Sequence, residues 1–248
     1  MDQYPNLAHV RQILEQYATI DKVLQALREE KKLLRLKMLL PGKRVLTWNE
    51  IQKFEETYHF VEKEVEGRYW DSGEPGISHL LGTTVIALFA LEVRNIDELM
   101  ADLTHDLIED FPLRWANHYL REYTSSEAAS IVQVNTRDRI TDRDKDEKND
   151  AYYGHVADRE VTARCKLCDG LHNQITLPGF KQDLPPRERL VHLKRKMIEA
   201  ESKLLAIARR YDILVKELEE AIQFNWIWIR DLEQKERSLE TMGSDRDF

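Results

Sequence analysis

The spacing of hydrophobic and polar positions along the chain predicts helices. Between positions 7 and 40, apolar residues recur at steps of three and four, which is the period of an amphipathic helix, and Pro41 ends this element. Thr47 and Glu50 have the spacing of a capping box and predict a second helix that runs to about Glu66. No segment alternates in the way that a half-buried strand would, so we expect an all-α protein.

The middle of the chain continues the helical pattern. Residues 77–91 form the most apolar segment, and they follow a loop rich in glycine and proline. Asp97 is expected to begin the next helix and Pro112 to end it. Ser125 is placed to cap a further short apolar helix.

The second half is less regular. Residues 137–150 are almost all charged or polar and predict a surface loop. A helix is expected to resume at Ala151 and to continue to about Leu171. From Arg187 onward the pattern predicts one or two long helices, followed by a frayed tail.

Composition narrows the class of protein. Among 248 residues there are only 9 glycines and 7 prolines, too few turn formers for a sandwich or barrel of many strands. The net charge of -8 and the pI near 5.6 argue against a nucleic acid polymer as the partner, since proteins that bind nucleic acids carry a basic face. No apolar run is long enough to cross a membrane, and the N-terminus lacks the apolar core of a signal peptide. We therefore expect a cytoplasmic helical protein.

Residues 102–110, DLTHDLIED, carry the most informative polar cluster. Glu109 lies four residues after His105, and Asp110 lies four after Asp106, so on a helix each pair shares a face. An isolated His-Asp pair is most often solvated helix surface. On a helix whose other residues pack into a core, however, these ionisable groups need a partner, and a divalent cation is one.

Two other segments place imidazole and carboxylate groups among apolar residues. His79 follows the glycine- and proline-rich loop at the start of the apolar segment, where by itself it would more often be a capping or core histidine. Asp169 and His172 lie in the sequence KLCDGLHN, where a buried carboxylate would be costly without a charged partner.

Together, and in this order, the three segments resemble the HD-domain phosphohydrolase superfamily. Within it, they are most similar to the hydrolase domain of the RelA/SpoT alarmone enzymes and to its small stand-alone relatives. The resemblance covers about residues 50 to 180. The matching residues are Ser72-Gly73-Glu74-Pro75 with Ile77 and His79, then His105-Asp106 with Glu109-Asp110, then Lys166-Leu167, Asp169 and Leu171-His172-Asn173.

The resemblance implies a metal-dependent hydrolase. It implies that one divalent ion, manganese in most of the family, is held by His79, His105, Asp106 and Asp169, and that Glu109 and Asp110 activate and orient the attacking water. The implied reaction is hydrolysis of a phosphoester or pyrophosphate bond of a small nucleotide, with the 3'-pyrophosphate of ppGpp as the leading substrate. The alternatives are a deoxynucleotide (dNTP or dNMP) substrate and a non-catalytic, nucleotide-binding regulator.

Departures from the family motif concern the substrate. Trp70-Asp71 stands where the family has basic residues, one of which packs over the guanine base, and Gly76 and Ile175 replace a tyrosine and an arginine. Trp70 could stack on a base in that arginine's place, although ordinary packing is the commoner role for such a residue. Candidate substrate contacts are Trp70, Ser72, Lys166, Asn173 and Thr176, and further candidate cations for the phosphates are Arg68, Arg159 and Arg164.

The resulting prediction is an all-α HD-domain helical bundle with N- and C-terminal helical extensions. Residues 1–45 would form the first extension, 46–182 the HD domain and 183–248 the second extension. The terminal helices, which carry an aromatic cluster at Phe224, Trp226 and Trp228, would cover the HD core or mediate homo-oligomerisation. One Cys-x-x-Cys pair, Cys165 and Cys168, is too little for a zinc knuckle and predicts two small buried residues.

Overall fold

A computed structural model describes residues 3–35, 44–111, 117–137 and 145–244. Within these ranges every regular element is helical, and the only β-type pairing is an isolated bridge between Tyr69 and Pro75. The all-α prediction is therefore confirmed. The helices are α1 (Pro5–Gln16), α2 (Ile20–Arg35), α3 (Trp48–Glu64), α4 (Gly76–Val85, extended by a π-helical turn, Ile86–Ala90), α5 (Ile96–Thr104), α6 (Leu107–Asp110), α7 (Asn117–Tyr123), α8 (Ser126–Asn135), α9 (Lys145–Val156), α10 (Glu160–Thr176), α11 (Pro186–Glu199, extended by a π-helical turn, Ala200–Leu204), α12 (Leu205–Tyr211) and α13 (Val215–Ser244).

The capping residues read from the sequence act as expected. The Thr47 hydroxyl accepts a hydrogen bond from the Glu50 backbone N–H at 3.2 Å, and the Glu50 carboxylate accepts one from the Thr47 N–H at 2.7 Å. This capping box starts α3. The Ser125 hydroxyl accepts from the Ala128 N–H at 3.0 Å and starts α8 in the same way.

The single helix expected over positions 7–40 is wrong, because the chain turns after Gln16. α1 packs against α13 and the turn after α4, whereas α2 packs against α3, so one straight helix could not reach both sets of partners. Tyr17, at the break, stacks on Phe89 with ring centroids 3.8 Å apart. The proposed stop at Pro41 lies outside the described residues.

The helix expected from Asp97 to Pro112 is also two helices. It begins at Ile96, because the Asn95 side chain rather than Asp97 is the cap and accepts from the Asp97 N–H at 2.9 Å. α5 ends at Thr104, and a turn at His105 and Asp106 leads into α6. Pro112 lies outside the described residues.

The charged segment 137–150 was expected to be a loop throughout, but α9 begins at Lys145, and residues 138–144 lie outside the described part. The helix expected over 151–171 is divided, because Arg159 has extended backbone. The hydroxyl of Thr162 donates to the carbonyls of Val156 and Arg159, both at 2.8 Å, and so stabilises the turn between α9 and α10. α10 then runs past Leu171 to Thr176.

Two long helical stretches follow Arg187, as expected, because α11, its π-helical turn and α12 are continuous up to Tyr211 and α13 is the second stretch. Asp212 and Leu214 both have left-handed backbone, with φ of 55° and 52°, which ends α12 and redirects the chain into α13. The expected frayed tail falls mostly outside the described residues.

One hydrophobic core holds these helices together. α10 lies at its centre and contacts α4, α5, α8 and α13, while α1 and α11 pack on α13. Leu7 of α1 and Ile229 of α13 are buried in the same core as Leu99 and Leu171. The boundaries of the three predicted segments stay a prediction. Among the described residues, no helix combines the length and apolar character that crossing a bilayer requires.

Candidate metal centre

A tight hairpin loop shapes the entrance to the predicted site. The Trp70 N–H donates to the Glu74 carbonyl at 2.7 Å, and the Gly73 N–H donates to the Trp70 carbonyl at 2.8 Å. Gly73 has a φ of 85°, a conformation that residues with a Cβ rarely adopt, which is why the turn uses glycine. The loop places Trp70 beside the first turn of α4, which carries His79.

Four predicted metal ligands converge from three parts of the fold: α4, the turn between α5 and α6, and α10. The Nε2 atom of His79 lies 3.6 Å from Asp106 Oδ2 and 3.3 Å from Asp169 Oδ1. The Nε2 atom of His105 lies 3.3 Å from Asp106 Oδ2 and 3.6 Å from Asp169 Oδ1. His105 and Asp106 form the turn between α5 and α6 and keep right-handed backbone, with φ of -57° and -88°, so both side chains reach the cluster from adjacent positions of a nearly helical segment.

These atoms need a partner that the described protein atoms do not supply. His79 Nε2, His105 Nε2 and Asp106 Oδ2 are buried and lack any hydrogen bond. Buried polar atoms without partners are costly. Ligands of a divalent ion at bonds of about 2.0–2.2 Å stand roughly 3.0–3.6 Å apart, which matches the observed separations. His79, His105 and Asp106 form a cluster that could hold a metal ion, and Asp169 adds a fourth donor.

Hydrogen bonds behind the two imidazoles orient them toward this space. The Nδ1 atom of His105 donates to the Asp102 carbonyl at 2.7 Å, so its Nε2 atom is the one that faces Asp106 and Asp169. The Nδ1 atoms of His79 and His172 are 3.0 Å apart. Burial and the neighbouring His79 lower the pKa of His172 to about 3, so His172 is neutral and can accept a hydrogen bond from His79 Nδ1, which would leave His79 Nε2 free for a metal.

Asp169 is fixed by two further contacts. Lys166 Nζ donates to its Oδ2 atom at 2.7 Å, and the Asn173 amide donates to its Oδ1 atom at 2.6 Å. Burial alone would raise the pKa of Asp169, but Lys166 and the imidazoles of His105 and His79 hold it well below the usual range. Asp169 is therefore an anion at neutral pH, as a metal ligand must be.

Trp70 stacks on His79 with ring centroids 4.2 Å apart and planes within 7°. Its indole N–H points to Asn173 Oδ1 at 3.4 Å. One face of the indole is thus used to hold a predicted ligand in place, and stacking on a nucleobase stays a prediction.

Glu109 and Asp110 lie beside the four converging side chains. Glu109 Oε2 accepts from the Arg137 N–H at 3.3 Å. Burial and the Asp106 carboxylate raise the pKa of Glu109. Burial, with Asp106 and Glu109, raises the pKa of Asp110 to about 6. Carboxylates whose pKa is raised toward neutrality are better proton acceptors than ordinary surface carboxylates.

Two cavities meet at Trp70 and Asp106. The loop-side cavity, about 350 Å³, is lined among others by Arg68, Tyr69, Trp70, Asp106 and Asp110. The helix-side cavity, about 180 Å³, is lined among others by Trp70, Asp106, Arg137, Lys166, Asp169 and Lys196. The wall of this cavity carries both positive and negative charges, since cations and carboxylates both line it.

Several predicted substrate contacts lie away from both cavities. The Ser72 side chain faces a separate cleft beside Gly179 and Lys181, and its buried hydroxyl has no hydrogen bond. The Thr176 hydroxyl donates to the His172 carbonyl at 3.0 Å and lines a cleft against α1. Among the candidate cations, Arg159 pairs with Glu127, and Arg164 pairs with Glu98 and Glu160.

Sequence reasoning missed the charged residues Arg137, Lys196 and Glu199 of the helix-side cavity, which nothing in the sequence marks, and it also missed Tyr153. Arg137 opens the charged segment, and Lys196 and Glu199 lie in α11, beyond the motifs. Tyr153 lies in α9, within the stretch already expected to be helical, but none of the motifs includes it. Cys165 and Cys168 are free and buried, as expected.

The HD-type arrangement can now be compared with known proteins. A solved structure of a metazoan ortholog of SpoT, described as hydrolysing ppGpp and having a role in starvation responses, superposes with a TM-score of 0.57 at 18% identity. The match covers 69% of this chain and 94% of that one. The two chains share one fold. The all-α fold expected from the motifs is thereby confirmed, and it is the fold of that hydrolase. No protein-family model matches the sequence, and no curated protein matches it.

The C-terminal aromatic residues have individual roles in this fold. Phe224 contacts Tyr4 edge to face, Trp226 donates to Glu201 at 2.7 Å, and Trp228 lies under the Arg189 guanidinium. They cover the helical core, as one of the two expectations had it. Their use in homo-oligomerisation stays a prediction.

Proposed function

We propose that this protein is a metal-dependent phosphohydrolase that cleaves a phosphoester or pyrophosphate bond of a nucleotide. The observation that carries the proposal is the convergence of two imidazoles and two carboxylates, with three of their buried atoms lacking partners. A mixed set of nitrogen and oxygen donors suits a borderline or hard divalent ion, and Mn²⁺ is our proposal. His79, His105, Asp106 and Asp169 would hold it.

A divalent ion bound there would polarise a phosphoryl oxygen and lower the pKa of water. The remaining tasks fall to side chains. Glu109 and Asp110 are the proposed proton acceptors for the attacking water, since both lie next to Asp106 and both have a raised pKa. Lys166 and Asn173 hold the Asp169 carboxylate in one orientation.

The leading substrate is ppGpp, hydrolysed at its 3'-pyrophosphate. Support comes from the motifs and from the shared fold with the SpoT ortholog, whose reported substrate is ppGpp. The loop-side cavity is of the size that small-molecule sites have and adjoins Asp106, so we place the nucleoside there. The phosphates would then face the cations of the helix-side cavity.

A deoxynucleotide is the second candidate substrate. It is favoured by Trp70, which occupies the place of the family's base-packing arginine and stacks on His79, so that the guanidinium that would read guanine is missing at this position. A non-catalytic regulator is the competing class of function. The full complement of ligands, together with Glu109 and Asp110, argues against it, because a protein that only binds nucleotides has no use for a water-activating pair.

The proposal is tested by metal content and turnover. Wild type, Asp106→Ala and the exposed control Asp158→Ala would be loaded with Mn²⁺, assayed for bound metal, and incubated with ppGpp, dNTPs and dNMPs. We expect one metal per chain and hydrolysis of one nucleotide class in wild type and in the control, and loss of both in Asp106→Ala. Absence of metal, or no hydrolysis of any nucleotide by metal-loaded wild type, contradicts the proposal. Cleavage of deoxynucleotides with ppGpp inert would replace the substrate and keep the reaction.

A further inference from the structure

The helix-side cavity contains a lysine that comes from outside the region of the motifs. Lys196 lies on α11, in the C-terminal extension, and lines this cavity together with Asp106 and Asp169. The resemblance to the HD superfamily ends near residue 180, so it assigns this lysine no role. The C-terminal extension therefore contributes directly to the wall of the proposed site.

The other two cations of the cavity already have anionic partners. Lys166 is paired with Asp169 at 2.7 Å. Arg137 is paired with Glu199 at 2.6 Å and also donates to the Tyr153 hydroxyl at 3.0 Å. Their charges are largely used within the protein.

Lys196 differs from them. Within the described parts of the chain, the Lys196 ammonium group makes no hydrogen bond and no ion pair. It lies over the ring of Phe180, 4.4 Å from the ring centroid. The side chain is half-buried, and burial lowers the pKa of the ammonium, while the more distant Asp169, Asp71 and Glu199 carboxylates oppose that shift. An ammonium in such a place is incompletely solvated and incompletely paired.

Its neighbours on the helix do not share this position. Lys194 pairs with Glu233 on α13, and Arg195 is exposed. Of the three consecutive basic residues at positions 194–196, it is therefore Lys196 that faces the cavity lined by Asp106 and Asp169. A second contact fixes α11 in this register, because Glu199, one turn later, accepts from both Arg137 and the Tyr153 hydroxyl, the latter at 2.8 Å.

We infer that Lys196 binds a phosphate group of the substrate and is the cation of the helix-side cavity reserved for it. The inference rests on the proposed function for the identity of the anion. A polyanionic substrate must approach Asp106, Asp169, Glu109 and Glu199, and an uncommitted ammonium offsets the repulsion at the place where the scissile phosphate would sit. Lys196 is thus a substrate-binding residue, and α11 is part of the site.

The test compares Lys196→Gln, Lys196→Arg and the matched control Arg195→Gln, all in the full chain loaded with Mn²⁺. Binding of inorganic phosphate, measured by calorimetry, gives a readout that does not need turnover. Loss of a charge-assisted hydrogen bond should weaken phosphate binding about 10- to 100-fold in Lys196→Gln. Lys196→Arg should stay within a few-fold of wild type, and Arg195→Gln should equal wild type.

Kinetics on whichever nucleotide is cleaved add a second readout, with the KM of Lys196→Gln raised by a similar factor and its kcat changed less. The inference is overturned if Lys196→Gln, folded by circular dichroism, binds phosphate as tightly as Arg195→Gln. It is also overturned if Lys196→Arg loses binding as fully as Lys196→Gln, since charge would then not be the cause. Phosphate binding that depends on Lys196, without hydrolysis of any nucleotide, would support the inference while the proposed hydrolase function fails.

Discussion

A methyl group added at Gly82 should displace His172, whose ring is hydrogen-bonded to the predicted metal ligand His79. Gly82 lies on α4, one turn after His79, and its Cα faces the ring of His172. A Cβ built there would lie 2.1 Å from His172 Nε2 and 2.4 Å from its Cδ2. Because non-bonded heavy atoms pack at about 3.5 Å or more, the ring would have to move by roughly 1.4 Å.

The movement has two calculable consequences. The 3.0 Å hydrogen bond between the Nδ1 atoms of His172 and His79 cannot survive a shift of that size. Loss of a partner behind a metal-ligating histidine typically costs about 10- to 100-fold in metal affinity. Forcing a methyl into a closely packed interior adds a destabilisation of about 1–3 kcal/mol. Gly82→Ala should therefore weaken Mn²⁺ binding and lower stability together.

The assay is calorimetric titration with Mn²⁺, combined with urea unfolding of the metal-free protein. Gly154→Ala is the matched control, since a Cβ there meets nothing within 4 Å and an alanine in α9 should be neutral or stabilising by about 0.5–1 kcal/mol. The double variant Gly82→Ala with His172→Ala separates the two effects. Removing the ring makes room for the methyl, so stability should recover relative to Gly82→Ala while the loss of metal affinity remains.

Unchanged Mn²⁺ affinity in Gly82→Ala would refute the reasoning that His172 supports His79. Unchanged stability would show that the ring relocates without cost. Recovery of full metal affinity in the double variant would mean that the hydrogen bond from His79 to His172 contributes nothing to binding.

Three other predictions follow from the same site. Chelation of the metal should lower the melting temperature, and Mn²⁺ at about 100 times its Kd should add about 2.7 kcal/mol of stability; a melting temperature indifferent to Mn²⁺ would contradict the metal site. Burial raises the pKa of Asp102 from 3.8 to about 7, so the free energy of unfolding of the wild type should fall as the pH rises through this window. In urea unfolding of the metal-free protein, Asp102→Asn should therefore gain up to about 4 kcal/mol of stability relative to wild type between about pH 4 and pH 8. Parallel pH profiles of the two proteins would refute this. Glu109→Gln should lower kcat by about 10²- to 10⁴-fold with Mn²⁺ affinity kept within a few-fold, and a normal kcat would exclude Glu109 as the proton acceptor.

Local signals in the sequence were sufficient for the fold class, whereas the ligand set was predicted from the resemblance to a known family. The capping box at Thr47 depends on residues three apart, and it appears in the structure as expected. Imidazole and carboxylate groups among apolar residues, where packing does not call for them, marked three segments of interest, and the resemblance to a family selected the ligand candidates within them. The helix breaks were not recognisable. The turn at His105 and Asp106 has no glycine or proline and keeps right-handed backbone, so no local signal marks it.

The residues that surround the cluster illustrate the limit of local signals. His172 is visible in the motif KLCDGLHN, but its contact with His79 joins positions 93 apart in the chain. Arg137, Lys196 and Glu199 carry no local mark, since a basic or acidic residue in a polar segment is ordinary helix surface. Their ion pairs and their common cavity depend on how α11 lies against α10.

Local sequence patterns indicated a helical protein with ionisable groups placed among apolar residues, and both conclusions rest on spacing and on the cost of burying charge. The choice of His79, His105, Asp106 and Asp169 as candidate ligands of a cation came from the resemblance to a known family. The tertiary structure added that each of the two imidazoles lies 3.3–3.6 Å from both carboxylates, that Trp70 stacks on His79, and that α11 brings Lys196 to the helix-side cavity. Helices become neighbours through burial in a common core rather than through proximity in the sequence, so no local pattern could reveal these contacts.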